Sequence, residues 1–328
     1  MRRALAACCA AAAGALAPRR DVLAALAALA APKEATVPLE KCGDAYCVAY
    51  ALDGVSFRAV VDTGSPFLQA SCASANWRLS PAAECFDALR KAPVADDDTL
   101  EVFGGGDGVV RWRSGNFALP GTHVSSALIF GVPDSKLLRA PGGGLFFGLI
   151  KDRADGIRPP LLEQLDVGAY DLDLRAEPKL TLYRKSPRWK QGHRLSTIDL
   201  RSYGAPARYV ATRVNSLRVD GAVFFTELPI FAIFDSGVTG AQMSNDLYEK
   251  VGRCTRLSAS FSEARLSARR KGNLRFVVTG MKVPWGQGRC HVLALGLAFL
   301  QDHRLLVDLD KPQSFVLVGD VRPQTWDA

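Results

Sequence analysis

Short apolar runs, separated by glycine, proline or charged turns, recur along the chain after residue 32. Ala45 to Tyr50 and Val55 to Val61 flank the pair Asp53-Gly54, which is typical of a tight hairpin turn. Lys179 to Tyr183 alternates apolar and polar positions, as a strand with one buried face does. Strand-sized runs rich in Val, Leu, Phe and Thr, joined by turns, predict a mostly β fold.

A second hairpin is predicted where Thr99 to Phe103 and Val109 to Trp112 flank the glycine-rich stretch Gly104 to Gly108. This stretch lacks the Gly-Lys-Ser/Thr ending of a phosphate loop, and no helix is predicted after it. Further strands are predicted at Phe117 to Val132, Tyr209 to Val219, Val223 to Glu227, Leu274 to Thr279, Val292 to Leu295 and Arg304 to Asp308. Short helices are predicted near Ala82 to Leu89, from Pro159 to Leu165 and from Asn245 to Val251.

One strand-to-turn motif occurs twice, once in each half of the chain. A strand leads into Asp62-Thr63-Gly64-Ser65, and another leads into Asp235-Ser236-Gly237. A single Asp-Thr-Gly is weak evidence, because an Asp at a strand end also forms ordinary turns. Two copies in equivalent contexts favour a shared site that takes one Asp from each half.

The residue types of this motif suit acid–base chemistry. Glycine lets each backbone turn sharply, and the hydroxyls of Thr63 and Ser236 can hydrogen-bond to the opposite loop. Two carboxylates held within a few ångströms share one proton, because both cannot ionise easily. The ionised one can take a proton from water while the protonated one donates to a carbonyl oxygen, which hydrolyses an amide without a metal. We therefore expect no cofactor.

The first 32 residues are typical of a targeting segment. Met1-Arg2-Arg3 is basic, Ala4 to Leu16 is apolar but short for a membrane span, and Arg19-Arg20 precedes a second apolar run, Val22 to Ala31. This order indicates export through the secretory pathway or, with two signals in series, delivery to a plastid or thylakoid lumen. No later stretch is long and apolar enough for a stable membrane span.

The net charge of +8 does not gather on one element. The densest basic runs, Arg184 to Lys190 and Arg269 to Lys271, fit solvated loops better than a nucleic-acid interface, although Trp189 leaves a binding role open for the first. We expect no nucleic-acid partner. The four histidines lie in no nucleophile-elbow or zinc-helix motif, and we expect them to be surface or structural residues.

After the targeting segment six cysteines remain, and they suggest three pairs: Cys42 with Cys47, Cys72 with Cys85, and Cys254 with Cys290. An even number in an exported chain indicates disulfides, although six cysteines allow fifteen connectivities. Zinc is the alternative, but no Cys-x-x-Cys or His-x-x-x-His spacing supports it, so no metal site is expected.

With these residues in place, the chain from about Tyr46 onward resembles the pepsin-like family of aspartic proteases. Val60 to Ser65 matches the first active-site loop of the family, and Ile233 to Gly237 matches the second. Phe146-Phe147-Gly148 and Ala294-Leu295-Gly296 resemble the element that threads behind each catalytic Asp.

The resemblance implies a bilobal fold of two pseudo-two-fold-related β lobes, residues 33–180 and 181–328, with a cleft between them. It implies an aspartic endopeptidase, active on peptide or protein substrates at acidic pH and expected to be a monomer. The catalytic pair would be Asp62 and Asp235. Supporting residues would be Thr63, Gly64, Ser65, Ser236 and Gly237, with Ser65 hydrogen-bonding Asp62. The flap over the substrate would include Phe103, Gly104 and Gly105, and Cys254–Cys290 would be a disulfide of the second lobe.

Three positions depart from the family pattern. Phe103 stands where the family has a flap tyrosine, Gln69 where it has a supporting tryptophan, and Val238 where its second loop has Thr or Ser. Without that hydroxyl, Asp235 is expected to have the higher pKa and to carry the proton. Residues 32–44 leave no room for an inhibitory propeptide, so no zymogen is expected. These departures keep an alternative open, namely a catalytically weakened protein of this fold that binds peptides.

Overall fold

The computed structural model of the protein describes residues 34–73, 78–103, 106–139, 145–152, 158–261, 264–269 and 276–319. Strands dominate these residues, which confirms the mostly β fold class. The strands are β1 (Glu34–Pro38), β2 (Glu40–Cys42), β3 (Ala45–Leu52), β4 (Val55–Asp62), β5 (Val94–Phe103), β6 (Gly106–Ala118), β7 (Ser125–Pro133), β8 (Phe146–Gly148), β9 (Ala169–Asp173), β10 (Lys179–Tyr183), β11 (His193–Ser196), β12 (Ala211–Arg213), β13 (Ser216–Val219), β14 (Ala222–Phe224), β15 (Ile230–Phe234), β16 (Ala241–Ser244), β17 (Arg256–Ser260), β18 (Arg265–Arg269), β19 (Val278–Met281), β20 (His291–Leu295), β21 (Arg304–Asp308) and β22 (Ser314–Val318).

The helices are short, and three of them confirm predicted ones. They are α1 (Ala82–Lys91), α2 (Ser135–Arg139), α3 (Leu161–Gln164), α4 (Asn245–Val251) and α5 (Leu297–Leu300), with a 3-10 helix at Leu200–Tyr203. Within the described part of the chain, no helix combines the length and apolar character that crossing a membrane requires.

The strands form four sheets within the described residues. A seven-stranded sheet runs in the order β5-β6-β3-β4-β8, with β2 added to β3 and β7 added to β6. A five-stranded sheet has the order β12-β15-β20-β16-β19, and a four-stranded sheet has the order β14-β13-β17-β18. The six-stranded sheet, β1-β10-β9-β21-β22-β11, joins strands that are far apart along the chain. Asp62 therefore ends a strand of the seven-stranded sheet, whereas Asp235 follows a strand of the five-stranded sheet.

Both predicted hairpins form. β3 and β4 pair around Asp53 and Gly54, whose φ angles of 48° and 83° suit a two-residue hairpin turn. β5 and β6 pair as far as Phe103, which lies opposite Gly106. The flap glycines at 104 and 105 lie outside the described residues, as do the targeting segment 1–32 and most of the basic run 269–271.

Buried apolar side chains fix the two strands that lead to the aspartates. All five residues of β15 are buried, and so are the last four residues of β4. Phe234 packs against Phe261 and Phe315, with ring centroids 5.7 Å and 4.9 Å apart. Strands that bury both faces have little freedom to shift, so the residues at their ends are held in place as well.

Some predicted strands have different bounds. The predicted strand from Tyr209 to Val219 divides into β12 and β13, because the backbone changes its partner between them. The Val214 N–H donates to Ile230 O, whereas the next N–H, of Asn215, donates to Ser260 O in another sheet. The strand expected at Val223 to Glu227 is shorter and ends at Phe224, and the strand expected at Leu274 to Thr279 begins at Val278.

Two disulfides lie in the described part of the chain, and both were predicted from the sequence. Cys42–Cys47 joins β2 to β3, and Cys72–Cys85 ties the segment that follows the Asp62 loop to α1. Disulfides persist in oxidising compartments, so these two fit an extracellular or secreted protein.

The third predicted pair is wrong, because Cys254 and Cys290 are both free thiols. Cys254 packs against the main apolar core, whereas Cys290 belongs to a separate cluster with Leu200 and Phe231. The fold thus places the two sulfur atoms in different clusters. Burial raises the pKa of both thiols, to about 11 for Cys254.

Candidate active site

Asp62 and Asp235 occupy equivalent positions in their sheets. Asp62 is the last residue of β4, and Asp235 directly follows β15. Each strand has a parallel neighbour: β8 places Gly148 opposite Asp62, and β20 places Leu295 opposite Phe234. The two copies of the sequence motif are therefore also two copies of one strand-to-loop geometry.

The parallel neighbours bring a glycine, Gly148 or Gly296, behind each loop. A Cβ atom on Gly148 would lie 2.5 Å from backbone atoms of Ser65 to Phe67. A Cβ atom on Gly296 would collide with the carbonyl oxygen of Val238. Only glycine permits these approaches, because any other residue would have to displace backbone.

Four hydrogen bonds cross between the two loops. The Thr63 hydroxyl donates to Phe234 O (2.7 Å) and accepts from the Ser236 N–H (2.9 Å). The Ser236 hydroxyl donates to Val61 O (2.7 Å) and accepts from the Thr63 N–H (3.1 Å). Both side chains are buried. Each hydroxyl therefore makes the same two kinds of bond to the opposite loop.

This network brings the two carboxyl groups into hydrogen-bond contact. The Gly64 N–H donates to Asp62 Oδ1 (2.7 Å), and the Gly237 N–H donates to Asp235 Oδ1 (3.0 Å). A Cβ atom on Gly64 would lie 2.5 Å from Asp235 Oδ2, and one on Gly237 would lie 2.5 Å from Asp62 Oδ1. The glycines are thus required for each loop to approach the opposite carboxyl group.

The pKa values of both carboxyl groups are raised. Burial, the negative charge of Asp235 and the hydrogen bond between the side chains raise the pKa of Asp62 well above its ordinary value. Burial also raises the pKa of Asp235, while the hydrogen bond from Asp62 lowers it. The pair therefore keeps a shared proton at a pH at which isolated aspartates have lost theirs.

The expected hydrogen bond between Ser65 and Asp62 does not form. The Ser65 hydroxyl is buried and has no hydrogen-bond partner among the residues that the structure describes. Asp62 thus lacks a contact that would stabilise its ionised form. Burial and the charge of Asp235, rather than the missing Ser65 bond, raise the pKa of Asp62, so the expected order with Asp235 the higher is not supported.

Tyr170 is a neighbour of the pair that the sequence does not reveal. It lies in β9 and is fully buried, and within the described part of the chain its hydroxyl has no hydrogen-bond partner. Burial and then the charge of Asp62 raise its pKa. A tyrosine in a short strand gives no sign in the sequence that a carboxyl group from another sheet lies nearby.

The β5–β6 hairpin contacts the Asp62 loop through two aromatic rings. The rings of Phe67 and Trp112 meet edge to face, with centroids 4.8 Å apart. Gln69, two residues after Phe67, is buried, and its side-chain amide has no partner among the described residues. Its backbone oxygen accepts a hydrogen bond from the Tyr50 hydroxyl (2.6 Å). The hairpin is therefore held here by packing with Phe67 and not by the side chain of Gln69.

His291 forms a second polar cluster away from the aspartates. Its ring is fully buried, with Nδ1 2.7 Å from Asp246 Oδ2 and Nε2 2.9 Å from Thr226 Oγ1. Thr226 borders one cavity of about 330 Å³, and Asp246 borders another of about 340 Å³. Because the imidazole joins two segments and is closed to solvent, we interpret it as structural, as expected from the sequence. The described residues contain no group of three or more His, Cys, Asp or Glu side chains placed to hold a metal ion.

A scan against protein-family models finds no match to the chain, and a search of curated proteins finds no relative.

Proposed function

We propose that the protein is an aspartic endopeptidase, which hydrolyses peptide bonds through Asp62 and Asp235. The observation that carries this proposal is the contact between the two carboxyl groups, each at the end of a buried strand and each fixed by the crossed hydrogen bonds of Thr63 and Ser236. A structural role alone does not account for two buried acids in contact, because such a contact raises the cost of ionising either one.

In the proposed reaction the ionised Asp235 takes a proton from a water molecule, whose oxygen attacks the carbonyl carbon of the peptide bond. Asp62 donates its proton to the carbonyl oxygen, which gives a tetrahedral intermediate. In the collapse of the intermediate, Asp235 gives its newly gained proton to the amide nitrogen and the carbon–nitrogen bond breaks, while one hydroxyl of the intermediate returns a proton to Asp62, so the pair is again singly protonated. The products are one carboxylic acid and one amine.

The same proposal includes the architecture around the pair. The two sheets that carry Asp62 and Asp235 would be the cores of two lobes with a cleft between them, and the β5–β6 hairpin would cover an extended peptide in that cleft. The protein would act as a monomer. The disulfides support export, with residues 1–32 as the signal for the secretory pathway or for a plastid.

The alternative is a protein of this fold that binds peptides but cleaves them weakly or not at all. The Ser65 hydroxyl favours this alternative, because it has no partner among the described residues and its expected hydrogen bond to Asp62 is missing. Three departures from the family pattern also favour weak or absent cleavage. Phe103 replaces the flap tyrosine, Gln69 the supporting tryptophan and Val238 the Thr or Ser of the second loop.

An assay of the cleavage of a denatured protein substrate between pH 3 and pH 7 distinguishes the endopeptidase from the peptide-binding protein. We expect wild type to cleave it, and Asp62→Asn and Asp235→Asn each to reduce the rate by at least about a thousandfold, since the pair acts as a unit. Asp44→Asn is the matched control, because Asp44 is exposed and lies in the turn between β2 and β3, outside both loops. Cleavage that survives in both dyad variants would disprove the proposal. Tight binding of a statine-type inhibitor without any turnover would support the alternative.

A further inference from the structure

A buried ion pair joins the β5–β6 hairpin to the segment before α3. Arg158 Nη2 lies 2.7 Å from Glu101 Oε1, and the two side chains are only 4% and 12% exposed. Glu101 lies in β5, two residues before Phe103 at the end of the strand. The ion pair therefore acts on the part of the hairpin that is farthest from the rest of its sheet.

This part of the hairpin has little other support from strand pairing. From Val110 to Ala118, β6 pairs with β7 on one side. From Gly106 to Val109 its strand partner among the described residues is β5. An isolated pair of strands is marginally stable in water. Beyond the backbone hydrogen bond from the Asp134 N–H to Val109 O (2.9 Å), the outer half of the hairpin depends on side-chain contacts to keep its position.

Aromatic rings and a hydroxyl connect Arg158 to the β5–β6 hairpin and to the loop that carries Asp62. Its guanidinium carbon lies 4.8 Å from the ring centre of Trp112 and 5.5 Å from that of Phe67. The Trp112 Nε1–H donates to Thr99 Oγ1 (2.8 Å), and the Thr99 hydroxyl donates to Glu101 Oε1 (2.8 Å). The cation therefore contacts the hairpin and the loop that carries Asp62 at once.

The backbone next to Arg158 is anchored to that same loop. Pro159 and Pro160 follow it, and the N–H of Leu161 donates to Pro66 O (2.8 Å). Prolines have a fixed φ angle, so the segment has few ways to move away from the loop. The position of Arg158 is thus tied to the Asp62 loop rather than to the hairpin.

Separating Arg158 from Glu101 has a large free-energy cost. Within the described residues, Nε and Nη1 of Arg158 are buried without hydrogen-bond partners, so the Glu101 carboxylate is the group that neutralises the cation. Removing one partner of a buried ion pair leaves an uncompensated charge. A movement of the hairpin that broke this contact would have the same consequence.

We propose that Arg158 is a positioning residue, which holds the β5–β6 hairpin over the Asp62 loop through its ion pair with Glu101. Only one part of this proposal rests on the proposed protease function, namely that substrate binding depends on the contact between Arg158 and Glu101. The location of the hairpin itself depends on the pair whether or not the protein is an enzyme.

The test compares Glu101→Gln and Arg158→Met with Asp98→Asn in the full-length protein. Asp98 belongs to an exposed ion pair with Arg111 on the same hairpin, 4.0 Å apart, and exposed pairs contribute little. Hydrogen exchange followed by mass spectrometry should show amides of the hairpin exchanging about tenfold faster or more in the first two variants, with β9 and β10 unchanged. Asp98→Asn should match wild type. Where wild type cleaves peptides, KM should rise about tenfold in the first two variants with a smaller change in kcat.

The combined variant, Glu101→Gln with Arg158→Met, distinguishes positioning from general stability. If the two residues act as a pair, the combined variant should exchange no faster in the hairpin than Glu101→Gln alone. Faster exchange throughout the chain, or unchanged exchange in the hairpin, would overturn the proposal. A wild type that cleaves nothing would instead overturn the protease function, and the exchange comparison would still decide the role of Arg158.

Discussion

The crossed hydrogen bonds beneath the aspartates give the sharpest test of the site, and the variant is Ser236→Ala. The change removes the acceptor of the Thr63 N–H and a donor to Val61 O, at distances of 3.1 Å and 2.7 Å. Both backbone groups are buried. Each buried polar group left without its partner costs about 1 to 3 kcal/mol. The free energy of unfolding should therefore fall by about 2 to 6 kcal/mol, out of roughly 5 to 15 kcal/mol for a typical domain.

Urea unfolding at constant pH measures this loss. Thr63→Ala should lower the free energy of unfolding by a similar amount, because Thr63 makes the equivalent pair of hydrogen bonds to the opposite loop. Thr63→Ser keeps the hydroxyl and should lose less than about 1.5 kcal/mol. The combined variant, Thr63→Ala with Ser236→Ala, should lose less than the sum of the single losses, since the two residues bridge the same pair of loops.

Ser202→Ala is the matched control, because the Ser202 hydroxyl is exposed and makes one local hydrogen bond, to Asp199 O (2.7 Å). Its effect should stay within about 0.5 kcal/mol. If Ser236→Ala changes stability by no more than this control does, the two loops are not joined as described, and the contact between the carboxyl groups loses its support.

Two further predictions concern charge and disulfides. The raised pKa of Asp62 means that this carboxyl group binds a proton more tightly in the folded chain than in the unfolded chain, so the stability that it contributes is lost as pH rises above about 4. Asp62→Asn should therefore melt higher than wild type at pH 7 but not at pH 3. Replacing Cys72 and Cys85 by alanine opens a bridge of sequence separation 13 and should cost about 3 kcal/mol, more than opening the Cys42–Cys47 bridge of separation 5, as urea unfolding would measure.

The sequence by itself determined features that depend on neighbours along the chain. The Asp53-Gly54 turn and the hairpin that ends at Phe103 follow from local backbone preferences and strand alternation. The Cys72–Cys85 bridge follows from a short separation, which keeps two thiols close whatever the rest of the fold does. The repeated Asp-Thr/Ser-Gly motif was visible because each copy is continuous.

Only the tertiary structure decided which distant groups meet and how deeply they are buried. It separated Cys254 from Cys290, left the Ser65 hydroxyl without a described partner and placed Tyr170 near Asp62. It also brought Arg158 to Glu101. Local sequence carries no information about such contacts, because they form between segments far apart in the chain. The raised pKa values of the two aspartates depend on tertiary structure in the same way: burial raises both, and the charge of Asp235 on the opposite loop raises that of Asp62 further, and neither effect can be read from the motif.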